Sequence, residues 1–362
     1  MRFAAIGLGR ATMLYHLPAL RRVSGAEVVG GFDPVAERRA EWEKETSSPA
    51  FASLEELFER TNPDVVTVAT PPESHAELCL QAIEAGSHVF CEKPFVESAA
   101  EADRIIEAAG TAGRVVAVNH EFRENPIFRA VRDGVSSGEY GRIVFCQVWQ
   151  LMNLAPWDEP TPWRAGMANR TLFEGGVHLV DLLLSIYGAS PTAVYARHSA
   201  GFHEQQDADA VHLLTLEFPE GRLAQITIDR LCPAGTRYLE VRADCERASL
   251  RASFGGRAVV QLGMKRAEKK GVKLDFGLGG IAWAERGLSR TKLASNPRDA
   301  AVIGTHRLLA GFVEAVERGS EPPSSAREAR DVLAVIDAAY ESHRTGERIE
   351  LSQVPLQPVR QT

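Results

Sequence analysis

Cysteines are few in this chain and long apolar runs are missing, which excludes several classes of protein. Among 362 residues there are five cysteines, an odd number without a Cys-x-x-Cys pair, so neither a disulfide framework nor a cysteine-based zinc site is indicated. The most apolar internal stretch, Val177 to Tyr187, contains Asp181 and is much shorter than the roughly 20 residues that span a bilayer. Met1 to Leu8 has no signal-cleavage site and runs into a glycine pair, so we interpret it as a strand. We therefore expect a cytoplasmic protein that binds neither membrane nor metal.

A large charge excess is missing as well. The net charge of -7 and the pI of about 5.9 give no general attraction to nucleic acid, so the partner we expect is a small molecule. Hydrophobic and charged fractions of 44% and 25% are those of an ordinary globular protein rather than a disordered or fibrous one. At roughly 150 residues per domain, the length predicts two domains.

Short β-branched runs alternate with helical segments through residues 1–120, the pattern of βαβ units on a parallel sheet. The predicted strands are Phe3 to Ile6, Glu27 to Phe32, Val65 to Val68, His88 to Phe90 and Val115 to Val118. Ser53 and Ser98 each stand three residues before a glutamate, as the N-cap of a capping box does. We expect residues 1–120 to form a Rossmann domain with a doubly wound parallel sheet.

Residues 121–362 have a different sequence pattern, in which strand-like runs are separated by Gly, Pro and Asp clusters. A helix is predicted at Ile127 to Arg132, and strands at Ile143 to Leu151, Ala193 to His198, Val211 to Phe218, Leu223 to Asp229, Tyr238 to Arg242 and Ala258 to Leu262. After these strands the sequence predicts two amphipathic helices, Ala300 to Arg318 and Ala326 to Thr345. Gly263 to Pro297 gives no clear signal, and we expect a long loop or arm there. The second domain is therefore predicted to be α+β with a mostly antiparallel, open sheet.

A glycine-containing loop, Gly7 to Thr12, joins the first predicted strand to a helical segment. In that context Gly7 allows a tight turn, Gly9 lets a pyrophosphate approach the backbone, and Arg10 and Ala11 begin the helix whose N–H groups meet the phosphates. Thr12 takes the place of the usual third glycine or alanine. Its hydroxyl could contact phosphate, or the residue could simply begin the helix. The loop predicts a dinucleotide site.

Asp33 ends the second predicted strand, where an acidic residue hydrogen-bonds the adenosine ribose of a dinucleotide. Its carboxylate would repel a 2'-phosphate, which favours NAD over NADP. Arg38 and Arg39 keep NADP open as the alternative cofactor. Taken without the glycine loop, Asp33 could equally be a turn residue before Pro34.

Two further motifs follow predicted strands and so lie at strand carboxyl ends, where ligands bind in open α/β sheets. Thr70, Pro71 and His75 belong to the first motif, and Glu92-Lys93-Pro94 is the second. Together with the glycine loop and Asp33, they resemble the glucose-fructose oxidoreductase, inositol dehydrogenase and MocA (GFO/IDH/MocA) family of NAD(P)-dependent oxidoreductases. The resemblance extends to Trp163-Arg164, to Glu174 through Asp181, and to Ala338 through Gly346.

The resemblance implies roles for individual residues. Thr70, Pro71, His75 and Glu92 would contact the cofactor. Lys93 would hold the reacting hydroxyl oxygen beside the nicotinamide, where its charge stabilises a developing alkoxide; its alternative is an ordinary surface lysine.

His178 matches the histidine of the family's Asp-x-x-x-His motif, which serves as general base; its alternative is a core histidine. At the aspartate of that motif this chain has Glu174. That carboxylate would orient His178 or bind a substrate hydroxyl. Asp181 is expected to be a structural partner within the same helix. Glu174, His178 and Asp181 could also be imagined as metal ligands, but no further His or Cys spacing completes such a site.

Other residues are implied to line the substrate cleft. They are His120, Arg123, Trp157, Trp163 and Arg164. The tryptophans could stack on a sugar face or could be plain core residues, and His120 could equally be buried.

As a whole, the resemblance implies an NAD-dependent dehydrogenase that transfers a hydride between nicotinamide and a hydroxyl carbon of a sugar, sugar derivative or cyclitol. Its second domain would bind the substrate and form a homodimer or homotetramer through the open sheet face. Two alternatives stay open: a redox-neutral NAD-dependent elimination or glycoside cleavage, and a non-enzymatic NAD-binding regulator.

Overall fold

The computed structural model divides the chain into two compact units. It describes residues 1–152, 162–165, 167, 169–199, 209–233, 238–255, 257–262, 272–277 and 279–351. The first unit comprises Met1–Asn125 and Ala301–Asp337, and the second comprises Pro126–Ala300 and Ala338–Thr362. Both units contain a sheet and helices, as an α/β chain with two domains requires.

Strands and helices alternate in the first part of the chain, and strands dominate the second. The strands are β1 Arg2–Ile6, β2 Glu27–Phe32, β3 Ala50–Phe51, β4 Val65–Val68, β5 His88–Cys91, β6 Val116–Val118, β7 Ile143–Leu151, β8 Ala193–Ser199, β9 Val211–Phe218, β10 Arg222–Asp229, β11 Leu239–Cys245, β12 Ser249–Phe254, β13 Arg257–Leu262, β14 Val272–Gly277, β15 Gly280–Arg286, β16 Ser289–Ser295 and β17 Ile349–Glu350. The helices are α1 Leu17–Leu20, α2 Ala36–Thr46, α3 Leu54–Thr61, α4 His75–Glu84, α5 Ala99–Ala112, α6 Pro126–Ser136, α7 Pro162–Ala165, α8 Val177–Tyr187, α9 Ala300–Arg318 and α10 Ala326–Thr345.

The sheet of the first unit has the strand order β3-β2-β1-β4-β5-β6, and its pairs are parallel. This is the Rossmann order, in which the chain reverses its winding direction between β1 and β4. The segments that follow β1 and β4 therefore leave the sheet at the same edge on either side of the switch point. The N-cap half of each predicted capping box forms, since the Ser53 and Ser98 hydroxyls accept hydrogen bonds from the backbone N–H groups of Glu56 and Glu101.

The first unit includes the C-terminal helix α9, although the sequence placed everything after residue 120 in the second domain. Leu308, Leu309 and Phe312 are fully buried in one apolar cluster with Phe3 and Phe90 of the parallel sheet. Burying three large side chains of this kind stabilises a fold by several kcal/mol, at about 1.5–3 kcal/mol each. The amphipathic period of α9 predicted its apolar face, but no local signal indicates which sheet that face covers.

The second unit contains a nine-stranded sheet with the order β16-β15-β12-β11-β7-β10-β9-β8-β17. Its pairs are antiparallel except that β7 and β10 run parallel. Helices α6 and α8 pack on one face. On the other face, Tyr195, Leu213 and Leu223 of neighbouring strands are exposed, so among the described residues these strands are covered on one side only.

The expectation of a loop or arm at Gly263 to Pro297 is wrong for much of that range. Strands β14, β15 and β16 lie there, and β15 pairs with both β12 and β16. The buried side chains of β15 are Ala282 and Ala284, and alanine carries little hydrophobic or strand signal. Pairing with β12 on one side and β16 on the other gives this segment its strand structure.

Candidate active site

Gly7 and Gly9 of the loop after β1 differ in what surrounds them. Gly7 has a φ of +86°, and a Cβ there would lie 2.6 Å from the Ala69 carbonyl oxygen and 2.8 Å from Thr70 Cγ2. At Gly9 a Cβ would meet nothing within 4 Å. Gly7 is thus required by the fold, because it packs against the segment after β4, whereas Gly9 leaves open space beside the backbone. A pyrophosphate needs such space at the start of a helix, so the loop fits a dinucleotide.

Thr12 closes the glycine loop on itself. Its hydroxyl donates a hydrogen bond to the Gly7 carbonyl oxygen at 2.5 Å, and the side chain is buried. The helix that follows begins with a π-helical turn, Thr12–His16, and such wide turns accommodate an extra residue or a bulky side chain. Of the two interpretations left open for Thr12, the geometry favours a residue that shapes the loop over one that contacts phosphate.

Asp33 is almost fully buried at the end of β2, with its carboxylate turned toward the glycine loop. It accepts hydrogen bonds from the backbone N–H groups of Leu8 and Val35, both at 2.9 Å. Arg38 lies 3.3 Å from its Oδ2, while Arg39 donates to backbone carbonyls of the same turn. The Asp33 carboxylate therefore joins the strand end to the loop that would hold the adenosine side of a dinucleotide.

His75 connects the segments that follow β4 and β5. Its Nε2 lies 2.8 Å from the Thr70 carbonyl oxygen, and its Nδ1 lies 3.0 Å from the carbonyl oxygens of Pro94 and Phe95. Whichever ring nitrogen carries the proton donates to a carbonyl. Burial lowers the pKa of His75, although these carbonyl contacts oppose it. With both nitrogens facing the protein's own backbone, His75 holds the two segments together, which differs from the cofactor contact that the resemblance implied.

Glu92 lies at the centre of a polar network at the end of β5. His16 Nε2 is 2.6 Å from Glu92 Oε1, and the Asn119 amide donates to the same oxygen at 2.7 Å. Burial alone would raise the pKa of Glu92, but the hydrogen bond and charge of His16, with Asn119 and Lys93, lower it to about 2. Glu92 Oε2 accepts the backbone N–H of Lys93 at 3.1 Å. The ionised Glu92 thus fixes the main chain that carries Lys93, and the peptide bond from Lys93 to Pro94 is cis.

His16 was not among the residues predicted from the sequence. It is fully buried at the end of the π-helical turn, and its Nδ1 has no hydrogen-bond partner in the described part of the chain. A histidine on the apolar side of an amphipathic segment was the only signal, and that signal is typical of core residues as well. Through Glu92, His16 connects the glycine-loop helix to the strand end that carries Lys93.

Two residues that the resemblance placed in the substrate cleft have partners within the first unit. Arg123 Nη1 lies 3.0 Å from both carboxylate oxygens of Glu328, and the guanidinium is buried. His120 Nδ1 lies 3.2 Å from the Ser324 hydroxyl, and its side chain is also buried. These contacts hold the segment after β6 against the connection between α9 and α10. The geometry therefore favours a packing role for both residues. Their partners lie about 200 residues away in sequence, so no local signal indicated these contacts.

Glu174, in the second unit, lies in a π-helical turn, Arg170–Gly176, which leads directly into α8. Arg164 Nη2 is 3.1 Å from its Oε1, and Arg230 Nη2 is 3.5 Å from its Oε2. The Arg164 guanidinium also lies 4.9 Å from the ring centre of Trp163. The longer side chain of glutamate thus reaches two arginines. Arg230 was not identified from the sequence. Trp157 lies outside the described residues.

The turn that carries Glu174 is held at its start by Asp209. The Asp209 carboxylate accepts the backbone N–H groups of Thr171 at 3.2 Å and Leu172 at 3.4 Å. It also accepts the Tyr340 hydroxyl at 2.8 Å and contacts His212 Nε2 at 3.1 Å. Tyr340 belongs to the closing helix that contributed to the resemblance, and its hydrogen bond joins that helix to the carboxylate that holds the turn.

His178 is the second residue of α8 and is buried, as is Asp181 one turn later. Since Glu174 precedes His178 by four residues, the two side chains start from neighbouring positions along the helical segment. Within the described ranges, no three His, Cys, Asp or Glu side chains are arranged to hold a metal ion. No described helix is long and apolar enough to cross a membrane. The histidine and carboxylate predicted for catalysis therefore share one short segment of the second unit.

Comparisons with known proteins identify the family. Residues 1–120 match the model of an oxidoreductase family with an NAD-binding Rossmann fold, and residues 128–251 match the GFO/IDH/MocA C-terminal domain. The chain is 33% identical over 230 residues to 1,5-anhydro-D-fructose reductase of Ensifer adhaerens, covering 62% of this chain and 68% of the relative. It is 26% identical to the NADP-dependent scyllo-inositol 2-dehydrogenase of Bacillus subtilis, over 97% of this chain and 96% of that one.

Among solved structures, an Agrobacterium radiobacter oxidoreductase in complex with NAD+, L-tartaric acid and magnesium has the same fold. The TM-score is 0.81 at 18% identity, over 97% of this chain and 98% of the other. The glycine loop, the buried Asp33, the Glu92-Lys93 strand end and the two domain matches lead to one conclusion. The chain belongs to the GFO/IDH/MocA family of NAD-binding oxidoreductases.

Proposed function

We propose that this protein is a dehydrogenase that transfers a hydride between a nicotinamide cofactor and a hydroxyl carbon of a sugar, sugar derivative or cyclitol. The observation that carries the proposal is the position of Lys93. It stands at the carboxyl end of β5, on main chain fixed by ionised Glu92, in the sheet whose glycine loop fits a dinucleotide. A lysine held at that edge is suited to contact a substrate oxygen.

The cofactor residues that we propose are Gly7, Gly9, Arg10, Ala11 and Asp33, with Thr12 and His75 shaping their surroundings. The adenosine ribose would lie against Asp33 and the pyrophosphate against the open backbone at Gly9. When bound, the cofactor supplies the hydride acceptor for alcohol oxidation. The protein orients that cofactor and the alcohol, and accepts the proton of the alcohol hydroxyl.

Lys93, His178 and Glu174 carry the proposed chemistry on the protein side. The Lys93 ammonium would contact the reacting hydroxyl oxygen and stabilise negative charge as it develops there. An imidazole nitrogen of His178 would accept the hydroxyl proton. Glu174 would position substrate through the polar groups around it, since its two oxygens are shared with Arg164 and Arg230.

The substrate class is supported by relatives that act on an anhydro-sugar, on apiose and on inositols. The test is to mix purified protein with NAD or NADP and a panel of sugars, sugar acids and cyclitols, and to follow absorbance of the reduced cofactor. Steady hydride transfer with at least one member is expected. The absence of transfer with every member and both cofactors would refute the proposal, and product formation without net reduced cofactor would indicate redox-neutral catalysis instead.

Roles within the mechanism are tested with Lys93→Ala and His178→Ala. Each should lower kcat by about 100-fold or more, a usual loss for a group that handles a proton or an oxyanion. The Kd for NADH should stay close to that of the parent protein, because neither variant alters the glycine loop. Arg222→Gln, at the far end of β10 from Arg230, is the matched control and should keep full turnover. Normal turnover in either alanine variant would remove that residue from the mechanism.

We also propose a preference for NAD over NADP, a cytoplasmic location and a homo-oligomer. The buried Asp33 carboxylate supports the first of these, because it would lie close to a 2'-phosphate. The open sheet face with exposed Tyr195, Leu213 and Leu223 supports the oligomer. Light scattering after size exclusion measures the oligomer directly. A monomer with the charged variant Leu213→Glu, but not with Leu288→Glu in the exposed turn between β15 and β16, would identify the face.

A further inference from the structure

Gln150 and Arg230 lie side by side because β7 and β10 run parallel. In the register of this pair Gln150 is opposite Ile228, and Arg230 follows Ile228 by two residues. Residues two apart on a strand point to the same face, so both side chains lie on the face that α8 covers. Parallel strands also end at the same edge of the sheet. The topology thus places an amide and a guanidinium together at one edge.

Both side chains are buried with hydrogen-bonding atoms left unused. Gln150 is 0% exposed, and neither its Oε1 nor its Nε2 has a partner among the residues that the structure describes; Arg230 is 3% exposed, and its Nε has no partner among them either. Buried polar groups in folded proteins are nearly always hydrogen-bonded. Leaving one without a partner costs about 1–3 kcal/mol. An amide and a guanidinium in this state indicate a place where a ligand completes the hydrogen bonding.

This cluster is directly adjacent to the proposed catalytic segment. A Cβ at Gly175 would lie 2.7 Å from Arg230 Nη2 and 3.9 Å from Gln150 Oε1. Arg230 Nη2 also contacts Glu174 Oε2, the neighbour of Gly175 in sequence. The absence of a side chain at Gly175 is what lets the two polar groups approach the turn between Glu174 and His178.

The cluster has an excess of positive charge and an excess of hydrogen-bond donors. Arg164 and Arg230 share the single carboxylate of Glu174, which leaves one net positive charge among these three described side chains. Within the described part of the chain, the unused donors are the Nε–H of each arginine and Gln150 Nε2, and the one unused acceptor among these side chains is Gln150 Oε1, so donors exceed acceptors. A group that neutralises one charge and only accepts hydrogen bonds would satisfy these donors. A carboxylate does both, whereas a phosphate monoester carries about −1.5 to −2 charges.

We infer that Gln150, Arg164 and Arg230 bind a carboxylate of the substrate, so that the substrate is a sugar acid rather than a neutral sugar. This inference rests on the proposed function, because it names the substrate of the same hydride transfer. Glu174 then acts as the counter-ion that holds the two guanidinium groups in place for the incoming carboxylate.

Matched pairs of compounds test the inference with the full-length protein. D-glucose, D-galactose and D-mannose are each compared with the corresponding hexuronate, and with the aldonate and the 6-phosphate. Two quantities are measured: kcat/KM for cofactor reduction, and the Tm of the NADH-loaded protein with each compound. A carboxylate held by charged hydrogen bonds should favour the acid of at least one pair by about 10- to 100-fold in kcat/KM, and that acid should raise the Tm.

Variants connect the preference to this cluster. Gln150→Glu has the same size and adds a negative charge, so it should lower kcat/KM for the acid more than kcat/KM for the matched neutral sugar and thereby remove the preference for the acid. Gln150→Leu should weaken acid binding less than Gln150→Glu does. Arg230→Gln should also remove the preference, and Arg222→Gln on the same strand should not. Since the Gln150 side chain makes no hydrogen bond to any described residue, its variants are expected to fold even if Arg230→Gln does not.

The outcomes separate this inference from the proposed function. Equal or better turnover of neutral sugars, a preference for the 6-phosphates, or a preference that survives Gln150→Glu would each overturn the carboxylate site while the dehydrogenase remains. A Tm increase with an acid that Gln150→Glu abolishes, without hydride transfer to any compound, would support the site and refute the dehydrogenase. If no acid is either turned over or bound, the carboxylate site is refuted.

Discussion

Exchanging the two glycines of the cofactor loop for alanine should produce opposite effects on stability and on cofactor binding. At Gly7 the φ of +86° and the 2.6 Å approach of a Cβ to the Ala69 carbonyl oxygen oppose any side chain. At Gly9 the φ lies outside the left-handed region and a Cβ meets nothing within 4 Å. Gly7→Ala should therefore damage the fold, and Gly9→Ala should damage only the binding of the dinucleotide.

The magnitudes follow from these contacts. A left-handed alanine costs about 1–2 kcal/mol, and forcing a methyl group against backbone costs a further 1–3 kcal/mol or so. The sum for Gly7→Ala is about 3 kcal/mol, which lowers the Tm by roughly 6 to 12 °C at about 2–4 °C per kcal/mol. Gly9→Ala should leave the Tm unchanged or raise it slightly, since an alanine in a permitted conformation stabilises by about 0.4–1 kcal/mol.

The assay pairs two measurements on each variant without substrate. Thermal unfolding followed by circular dichroism gives the Tm, and quenching of protein fluorescence by NADH gives the Kd. A methyl group in the space at Gly9 should raise the Kd about tenfold or more, because the pyrophosphate can no longer approach the backbone. An unchanged Tm in Gly7→Ala would refute the requirement for glycine at position 7. An unchanged Kd for NADH in Gly9→Ala would refute the binding of pyrophosphate at Gly9.

Three further perturbations have expected outcomes. Asp33→Asn removes the negative charge beside Arg38 and should raise the ratio of kcat/KM for NADP to that for NAD by about tenfold; an unchanged ratio would exclude Asp33 from cofactor selection. Glu92→Gln should destabilise the protein by up to about 3 kcal/mol at neutral pH, because lowering the pKa from 4.5 to about 2 contributes about 1.4 kcal/mol per unit. That contribution is complete above pH 4.5 and is lost as the pH falls toward 2, so urea unfolding should show the difference between Glu92→Gln and the parent shrinking on acidification. Tyr340→Phe removes the hydroxyl that Asp209 accepts, and should reduce stability by about 1.5–3 kcal/mol and lower kcat without changing the Kd for NADH; a normal kcat would leave Tyr340 with a purely structural role.

Several parts of the molecule were accessible from local sequence signals. Strands β2, β4, β7 and β9 and helices α9 and α10 have the predicted bounds, because each is long or apolar enough to show its own period. Other features lacked such signals. Arg230, which shares Glu174 with Arg164, lies in a distant segment, as do His16 and Asn119, which contact Glu92. Nothing near these residues in sequence indicates a polar contact.

The amino-acid sequence by itself determined the Rossmann half, the dinucleotide loop and the family, since each depends on residues close together in the chain. Gly7, Asp33 and Lys93 stand at strand ends, and the strand pattern alone is enough to place them at one sheet edge. Only the tertiary structure decided that His16 hydrogen-bonds Glu92 and lowers its pKa, that α9 belongs to the first unit, and that the parallel pair β7 and β10 buries Gln150 beside Arg230. The physical reason is that burial and charge pairing depend on which distant segments come into contact. Those contacts determine the pKa values of buried groups and decide which buried polar atoms have no hydrogen-bond partner, and no local sequence pattern encodes either.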